Sequence, residues 1–506
     1  MRETTLVATL TEPPSTDGDE LRDLPAGVGW LEVRGDLVGE LDPAWLRERF
    51  AGGLIYTLRS KAEGGAFEGG QRARRRRLGT AAGQGYDLID LEAARDLQDE
   101  MLAEIEPSRR LISWHGPATH LTGLKQRFAE LARHEARFYK MIPHAAQSGD
   151  EIRALELLFD LRRTDLVCFA TGPIGSWTRI VAPRLGCPLV YGAFGDTPAA
   201  PGQLSIERLV DDFGLPALPP LDALYGIVGR PVAHSLSPRL WNGAFRVLDV
   251  RGAYLPFHVE SFGDFWLEVV EAEALDALGM PLRGLSVTSP FKALALAVSG
   301  ASSPRAQHIE AANTLVFHDG VWEAETTDPD GVVLSLQRAG VDLRGARAAV
   351  VGCGGAGKAA AYGLQLAGAD VTLVNRGAER GERASLELRL PFVPLDAFEP
   401  ARYQIVVHAT GLGHEPDDPL PFDVDALAPG TAVLDMVYAR RPTRLLDAVR
   451  AAGGLGVDGR EMLLDQALEQ FRLVTGQPLD ALYARRRIGL DAPDEPSGNE
   501  LMERRR

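Results

Sequence analysis

Lys140 lies in the stretch HEARFYKMIPHAAQ (His134–Gln147), where FYKMI reads as a strand that turns its lysine toward the protein interior. A buried amine is costly unless something there needs it. One such need is covalent chemistry. An amine condenses with a carbonyl compound to a Schiff base, and the iminium is an electron sink. His115, at the end of the preceding β-rich run, can move a proton beside it. Together they read as proton abstraction next to a carbonyl, followed by elimination or aldol chemistry. Arg34, Arg59 and Arg179 supply guanidinium groups for a carboxylate. Glu32, Asp36, Glu63 and Glu92 complete the polar set at the ends of these runs.

A second set lies further along. Lys292 and Asp328 can form an acid–base pair where a carbonyl oxygen gains a proton as hydride arrives at its carbon. Ser235 and Ser237, one residue apart, can donate together to a carboxylate. In ARAAVVGCGGAGKAAAYGLQLAGADVTLVNR (Ala346–Arg376) an apolar strand runs into Gly352, Gly354 and Gly355, followed by a small-residue helix and a second strand. Glycines there permit a tight turn and let the backbone approach a pyrophosphate at a helix N-terminus. The strand–loop–helix context is what the motif requires. The second strand ends at Asn375–Arg376, with Arg380 near, where NAD sites usually place Asp or Glu. A guanidinium suits a 2′-phosphate, so the expected cofactor is NADP.

Taken singly, these residues have plainer readings: Lys140 as a snorkelling lysine, His115 as a structural histidine, Lys292 as a surface lysine, Asp328 as a turn residue. His120, His134 and His144 read as structural or solvent-facing. RARRRR (Arg72–Arg77) reads as a solvated helix face. It is the constellation that points to chemistry.

The elements that must position it recur regularly. TLVATL, WLEVRGD, LIYTLRS, DLIDLE, RLISWHG, FYKMIPH, LVCFATG and PLVYGAFG begin near residues 5, 30, 54, 87, 110, 138, 166 and 188, with Ala/Leu/Glu/Arg-rich segments between them. Eight strand–helix units in about 215 residues predict a parallel (β/α)₈ TIM barrel, whose chemistry sits at the C-terminal strand ends. The Pro/Leu-rich segment Phe213–Gly226 reads as a stiff connector. The expected class is α/β throughout.

Composition fits. Of 506 residues, 45% are hydrophobic and 25% charged, ordinary for a chain with large cores. The net charge of −16 argues against nucleic acid or an anionic membrane surface as partner. Cys168, Cys187 and Cys353 stand far apart with no CxxC, so no metal site is expected and a reducing compartment fits. The N-terminus lacks a signal-peptide core, and no apolar run is long enough to span a bilayer. The tail DAPDEPSGNELMERRR reads as disordered.

The motifs LEVRGD, TLRSKAEGG, LISWHG, FYKM and APGQ, in that order, resemble type I 3-dehydroquinate dehydratase over about residues 1–215. The resemblance implies that Lys140 forms the imine, that His115 moves protons, and that Glu32, Arg34, Arg59, Glu63, Arg179 and Gln203 bind or orient the substrate. Ala199 departs from the Ser or Thr usual in that family. YGIVGRPVAHSLSPRLWN, GLSVTSPFKALAL, AANTL, TTDPDG, DMVYARRPTRLL and DGREMLLDQALEQFRLVTG resemble shikimate dehydrogenase over about residues 222–488. This implies Lys292 and Asp328 as the catalytic pair. Ser235, Ser237, Thr288, Asn313, Tyr438 and Gln466 would contact the substrate, and Gly352, Gly354, Gly355, Asn375, Arg376 and Arg380 would hold NADP.

The implied architecture is a barrel at 1–218, a substrate-binding domain at 222–333 to which 459–488 returns, a Rossmann NADP-binding domain at 334–458, and the tail at 489–506. The implied function is a cytoplasmic bifunctional shikimate-pathway enzyme. It would dehydrate 3-dehydroquinate to 3-dehydroshikimate and reduce that to shikimate with NADPH. Its partners would be those small molecules and, as an assembly, a homodimer. Two alternatives stand beside it: a catabolic quinate/shikimate dehydrogenase using NAD, and a ligand-sensing homologue without catalysis. Retention of Lys140, His115, Lys292 and Asp328 argues against the sensor.

Overall fold

The computed structural model of the chain describes residues 4–97, 100–415, 417–438 and 442–490. The tail expected to be disordered lies outside the described residues, apart from its first two positions. The chain divides into two compact units, Met1–Leu282 and Arg283–Arg506.

The first unit opens with eight strands: β1 (Thr5–Leu10), β2 (Val28–Arg34), β3 (Gly53–Thr57), β4 (Leu88–Glu92), β5 (Arg110–Pro117), β6 (Phe138–His144), β7 (Leu166–Cys168) and β8 (Leu189–Ala193). Each starts within two residues of its expected position. They form one eight-stranded sheet in the order β7-β6-β5-β4-β3-β2-β1-β8, so neighbours in sequence are neighbours in space and β8 returns to β1. The pairings are parallel. This is a nearly closed α/β barrel. Strands covered by helices outside and side chains inside are buried on both faces. That is why Phe138 to Pro143 are all buried, and why the strand carrying Lys140 shows no polar face.

The arginine run corrects an expectation. The helix Gln71–Gln84 holds it, but Arg74 is fully buried. Arg74 forks onto Asp96 at 2.8 and 2.6 Å and donates to the Leu58 carbonyl. A charge run read as a solvated face misses one member drawn inward by a buried carboxylate.

Past the barrel the first unit continues as a strand–helix–strand: β9 (Ala223–Gly229), the helix Ser237–Leu248 and β10 (Gly252–His258), with β9 and β10 parallel. Trp177 of the barrel meets Phe257 edge-on at 5.1 Å. Asp212 accepts from Arg208 at 3.0 Å and from Arg239 at 2.7 Å. An aromatic contact and a bridging carboxylate thus fasten this segment to the barrel.

β11 (Leu282–Val287), in the second unit from Arg283 on, pairs antiparallel with β13 (Thr314–His318). β13 pairs antiparallel with β14 (Val321–Glu325), and the short β12 (Ala301–Ser302) runs parallel to β14. Then come β15 (Arg347–Val351), β16 (Asp370–Asn375), β17 (Phe392–Pro394), β18 (Ile405–His408), β19 (Ala432–Asp435) and β20 (Leu455–Asp458). They make a six-stranded sheet ordered β17-β16-β15-β18-β19-β20, a 3-2-1-4-5-6 Rossmann arrangement. Alternation divides its residues between two cores. Ala348 and Val350 join one apolar cluster, and Ala349 and Val351 join the other. The helix Gly459–Thr475 packs on the helix Asp328–Arg338, where Arg338 bonds Asp465 at 3.0 and 2.5 Å. Among the described residues no helix is long and apolar enough to cross a membrane, and no group of three or more His, Cys, Asp or Glu is placed to hold a metal.

Candidate active sites

The barrel mouth encloses a cavity of about 310 Å³, lined by Glu32, Arg34, Arg59, Glu63, His115, Lys140, Arg179 and Gln203 among others. These eight were all singled out from the sequence, whereas Asp36 and Glu92, named with them, do not line the cavity. Lys140 is 6% exposed. Its Nζ lies 3.5 Å from Glu32 Oε1, 3.6 Å from Asp90 Oδ2 and 4.0 Å from the centroid of the Tyr191 ring. Glu32 is oriented by hydroxyls from its two neighbouring strands, Thr9 and Thr57, each at 2.8 Å.

The three arginines divide sharply. Arg34 forks onto Asp36 at 2.9 and 2.7 Å. Asp36 in turn accepts the amides of Arg59 and Ala66, which fixes the loop after β3. Arg59 is committed to Asp90 at 2.6 Å, to Glu92 and Glu63 at 3.2 Å each, and to Ser113 at 2.9 Å. Arg179 is different. It is 2% exposed, bonds the Tyr191 carbonyl at 3.1 Å, has no carboxylate partner among the described residues, and leaves Nε without a hydrogen bond. Burial lowers its pKa to about 10, which still leaves it cationic at neutral pH. A buried guanidinium with no anion beside it among the described residues can receive a negative charge.

His115 Nδ1 lies 2.9 Å from Glu63 Oε2. Burial, then the charges of Arg59, Lys140 and Arg34, hold His115 well below the usual imidazole range. Burial pushes Glu63 up to about 8 against Arg59, helped by Glu92 and Asp90. Asp90 goes the other way: burial opposes ionisation, but Arg59 and Lys140 keep it below the ordinary carboxylate range. His115 is therefore uncharged at neutrality, and Glu63 is its oriented partner. Gln203 accepts the Ala199 amide at 2.8 Å and reaches toward Thr9 Oγ1 at 3.5 Å. His144, read from sequence as a bystander, also lines this cavity.

In the second unit Lys292 Nζ donates to Asp328 Oδ2. Asn313 Nδ2 donates to Asp328 Oδ1 at 2.8 Å, Thr327 Oγ1 at 3.0 Å and Gln466 Oε1 at 3.2 Å. The long helix Gly459–Thr475 thus brings Gln466 to the pair. Gln470, one turn on, bonds the Asn313 carbonyl and Thr314 at 2.9 Å each, and accepts from Ser286 at 2.9 Å. Thr288 is half-buried at the end of β11, and Tyr438 is half-buried beyond β19. In the first unit the Ser237 amide donates to Ser235 Oγ at 3.2 Å, and Ser237 opens its helix.

At the Rossmann loop Gly352 has φ +113°, a region L side chains rarely adopt, and a Cβ there would meet the Ala409 carbonyl at 2.7 Å. Gly354 caps the helix Gly355–Leu366. Asn375 accepts the Cys353 amide at 3.2 Å and donates to the Gly377 carbonyl at 2.8 Å, tying the glycine loop to the end of β16. Arg376 and Arg380 are exposed just beyond, with no carboxylate partner among the described residues. Gly357 was missed from sequence. Its Cβ would fall 1.8 Å from the Gly352 carbonyl oxygen, the tightest glycine site of the chain's described part. The G-x-G-x-x-G spacing through Gly352, Gly354 and Gly357 carried the signal. Asp90 was missed likewise, although period-two alternation puts it on the same face as Glu92.

The type I 3-dehydroquinase family model matches residues 13–215, and the shikimate dehydrogenase substrate binding domain model matches residues 227–315. The bifunctional 3-dehydroquinate dehydratase/shikimate dehydrogenase, chloroplastic, of Arabidopsis thaliana is 30% identical over 458 residues, covering 84% of this chain and 73% of that protein. The chain belongs to the bifunctional 3-dehydroquinate dehydratase/shikimate dehydrogenase family. It is an enzyme that joins a lyase half to an oxidoreductase half. For the latter, a shikimate dehydrogenase (NADP(+)) of Acidiphilium cryptum is 40% identical over 266 residues, covering 51% of this chain and 94% of that protein. The solved structure of dehydroquinate dehydratase and shikimate dehydrogenase from S. pombe AroM is 22% identical, covers 96% of this chain and 98% of that chain, and superposes with a TM-score of 0.43.

Proposed function

We propose that the barrel dehydrates 3-dehydroquinate to 3-dehydroshikimate through an imine at Lys140, and that the second half reduces 3-dehydroshikimate to shikimate with NADPH. The observation that carries the first step is a buried amine and an uncharged imidazole in one small cavity with an arginine that lacks a carboxylate.

Arg179 takes the substrate carboxylate. The Lys140 amine attacks the ketone carbon, and the carbonyl oxygen leaves as water, giving the iminium. His115 removes the proton next to that carbon, and the electrons flow onto nitrogen. The resulting enamine expels the β-hydroxyl, which departs as water with the proton His115 returns. Water then hydrolyses the imine and frees Lys140. Glu63 orients His115. Glu32 and Asp90 flank the amine, while Arg34 and Arg59 hold the surrounding carboxylates and loop. Gln203, which lines the same cavity, helps orient the substrate.

The glycine loop fits a dinucleotide: a Cβ at Gly352 or Gly357 would collide with backbone carbonyls and displace the tight turn, while Gly354 faces open space. Gly352, Gly354, Gly355 and Gly357 would receive the pyrophosphate, with Asn375 bracing them and Arg376 and Arg380 placed for the 2′-phosphate. When bound, NADPH supplies hydride. Lys292 then delivers a proton to the carbonyl oxygen, with Asp328 holding the amine, Asn313 donating to Asp328, and Gln466 accepting from Asn313; Asn313 and Gln466 also contact the substrate. Ser235 and Ser237 take the substrate carboxylate, and Thr288 and Tyr438 complete its contacts. The domain boundaries of this reading are 1–218, 222–333 with 459–488, and 334–458; the family matches at 13–215 and 227–315 fall within the first two. A cytoplasmic location and a homodimeric state belong to the same proposal, and sedimentation tests the latter.

The test is a pair of variants. Lys140→Ala should abolish dehydration and leave reduction of added 3-dehydroshikimate intact, and Lys292→Ala should do the reverse. Dehydration at the wild-type rate in Lys140→Ala would refute the imine. For the cofactor, Arg376→Ala should weaken NADPH and leave NADH use unchanged. A chain that prefers NADH before mutation would favour the catabolic reading.

A further inference from the structure

We propose that the aromatic face of Tyr191 is a catalytic element of the lyase half, stabilising the positive nitrogen that Lys140 carries as a protonated imine. This rests on the reading of Lys140 as the imine-forming amine.

Tyr191 stands on β8, two strands from β6 in the direction of closure, and its ring reaches Lys140 inside the barrel. Nζ sits 4.0 Å from the ring centroid, within the range at which a cation is attracted by the π face. The two carboxylates nearest this nitrogen are 3.5 and 3.6 Å away, longer than a charge-assisted hydrogen bond. The ring is therefore not a spectator behind a tight ion pair. Tyr191 is 3% exposed, and the attraction is strongest when the pair is dry. Among the described residues its hydroxyl has no hydrogen-bond partner, although a buried phenol usually finds one. Polar anchoring thus does not account for an aromatic residue here, whereas its place over the amine does. Burial, together with the charges of Glu32 and Asp90, holds the phenol far above its ordinary range, so the ring brings no competing anion. The Tyr191 carbonyl also receives Arg179 Nη1 at 3.1 Å, so one residue fixes both the nitrogen's surroundings and the carboxylate receptor.

The charge at nitrogen changes during the reaction. Loss of water from the carbinolamine creates it. Removal of the α-proton by His115 cancels it in the neutral enamine. Expulsion of the β-hydroxyl, leaving as water with the returned proton, restores it in the conjugated iminium. Two transition states therefore build positive charge on an atom that already faces the ring. A preorganised electrostatic partner lowers such barriers without having to reorganise. The effect belongs in kcat more than in KM.

The experiment uses the full-length chain with Tyr191→Phe, Tyr191→Leu and a series of fluorinated phenylalanines at 191. Reduction of 3-dehydroshikimate by the same chain serves as the folding control. Dehydration is measured, and the imine is trapped with borohydride, which adds hydride to the iminium carbon and leaves a secondary amine on Lys140 detectable by mass. Tyr191→Phe should stay within about twofold, since it keeps the face. Tyr191→Leu should lose about tenfold in kcat, and kcat should fall step by step with each fluorine as the face loses electron density. Wild-type kcat in Tyr191→Leu, or a flat fluorine series, would overturn the proposal while trapping still supports Lys140. Failure to trap any adduct in the wild type would overturn the imine reading, and this proposal with it.

Discussion

At the residue scale, partnership separates side chains that chemistry needs from those that hold them. The sequence brought Lys140 and His115 to one mouth through the strands that carry them, and Arg179 through the helix Thr178–Val181 that follows β7. What a linear sequence does not show is which arginine is spent. Arg34 and Arg59 are paired with Asp36 and with the Asp90–Glu92–Glu63 group, and this contrast is what supports the proposal that Arg179 takes the substrate carboxylate. That contrast requires distances between residues far apart in the chain, and no spacing rule encodes them. Arg179→Gln should raise KM for 3-dehydroquinate by about 10- to 100-fold, the worth of a charge-assisted hydrogen-bonded pair, while imine trapping at saturating substrate persists. An unchanged KM would move the carboxylate receptor elsewhere. Arg74 teaches the complementary lesson. Its neighbours Arg72 and Arg76 are surface residues, and only the buried Asp96 distinguishes it.

At the element scale, strand starts were legible to within two residues because a parallel barrel repeats one unit with apolar runs between helices. The finer positions were not. Gly357 needed the complete glycine spacing, and its role is geometric. With a Cβ 1.8 Å from the Gly352 carbonyl oxygen, Gly357→Ala must displace the turn proposed to receive the pyrophosphate. NADPH-dependent reduction should fall by about 100-fold while dehydration stays unchanged. Equal loss of both activities would mean a folding defect instead. Glu151, in the first turn of the helix Asp150–Leu161, is a second feature no pattern disclosed. It is 1% exposed, accepts the Gly149 amide at 2.8 Å, and burial pushes it up to about 8. A carboxyl raised in the folded state binds a proton that the unfolded chain releases near the ordinary value of 4.5. Stability from this group is therefore present below that value and is lost as pH rises toward 8. Glu151→Gln should flatten the decline of Tm between pH 5 and pH 8, and an unaltered slope would contradict the assignment.

At the scale of the whole molecule, two chemistries share one chain, and each serves as the other's internal control. The α/β class, the barrel and the Rossmann sheet were all legible from motif order. The division into compact units was less so. The strand–helix–strand after the barrel groups with it through Trp177–Phe257 and Asp212, contacts that no local composition announces. The central claim is that the two halves perform consecutive steps. Purified full-length protein is mixed with 3-dehydroquinate and NADPH, and 3-dehydroshikimate, shikimate and NADPH are quantified over time. Shikimate should appear after 3-dehydroshikimate, with one NADPH consumed for each shikimate formed. 3-Dehydroquinate left unchanged, or 3-dehydroshikimate accumulating with NADPH untouched, would contradict it.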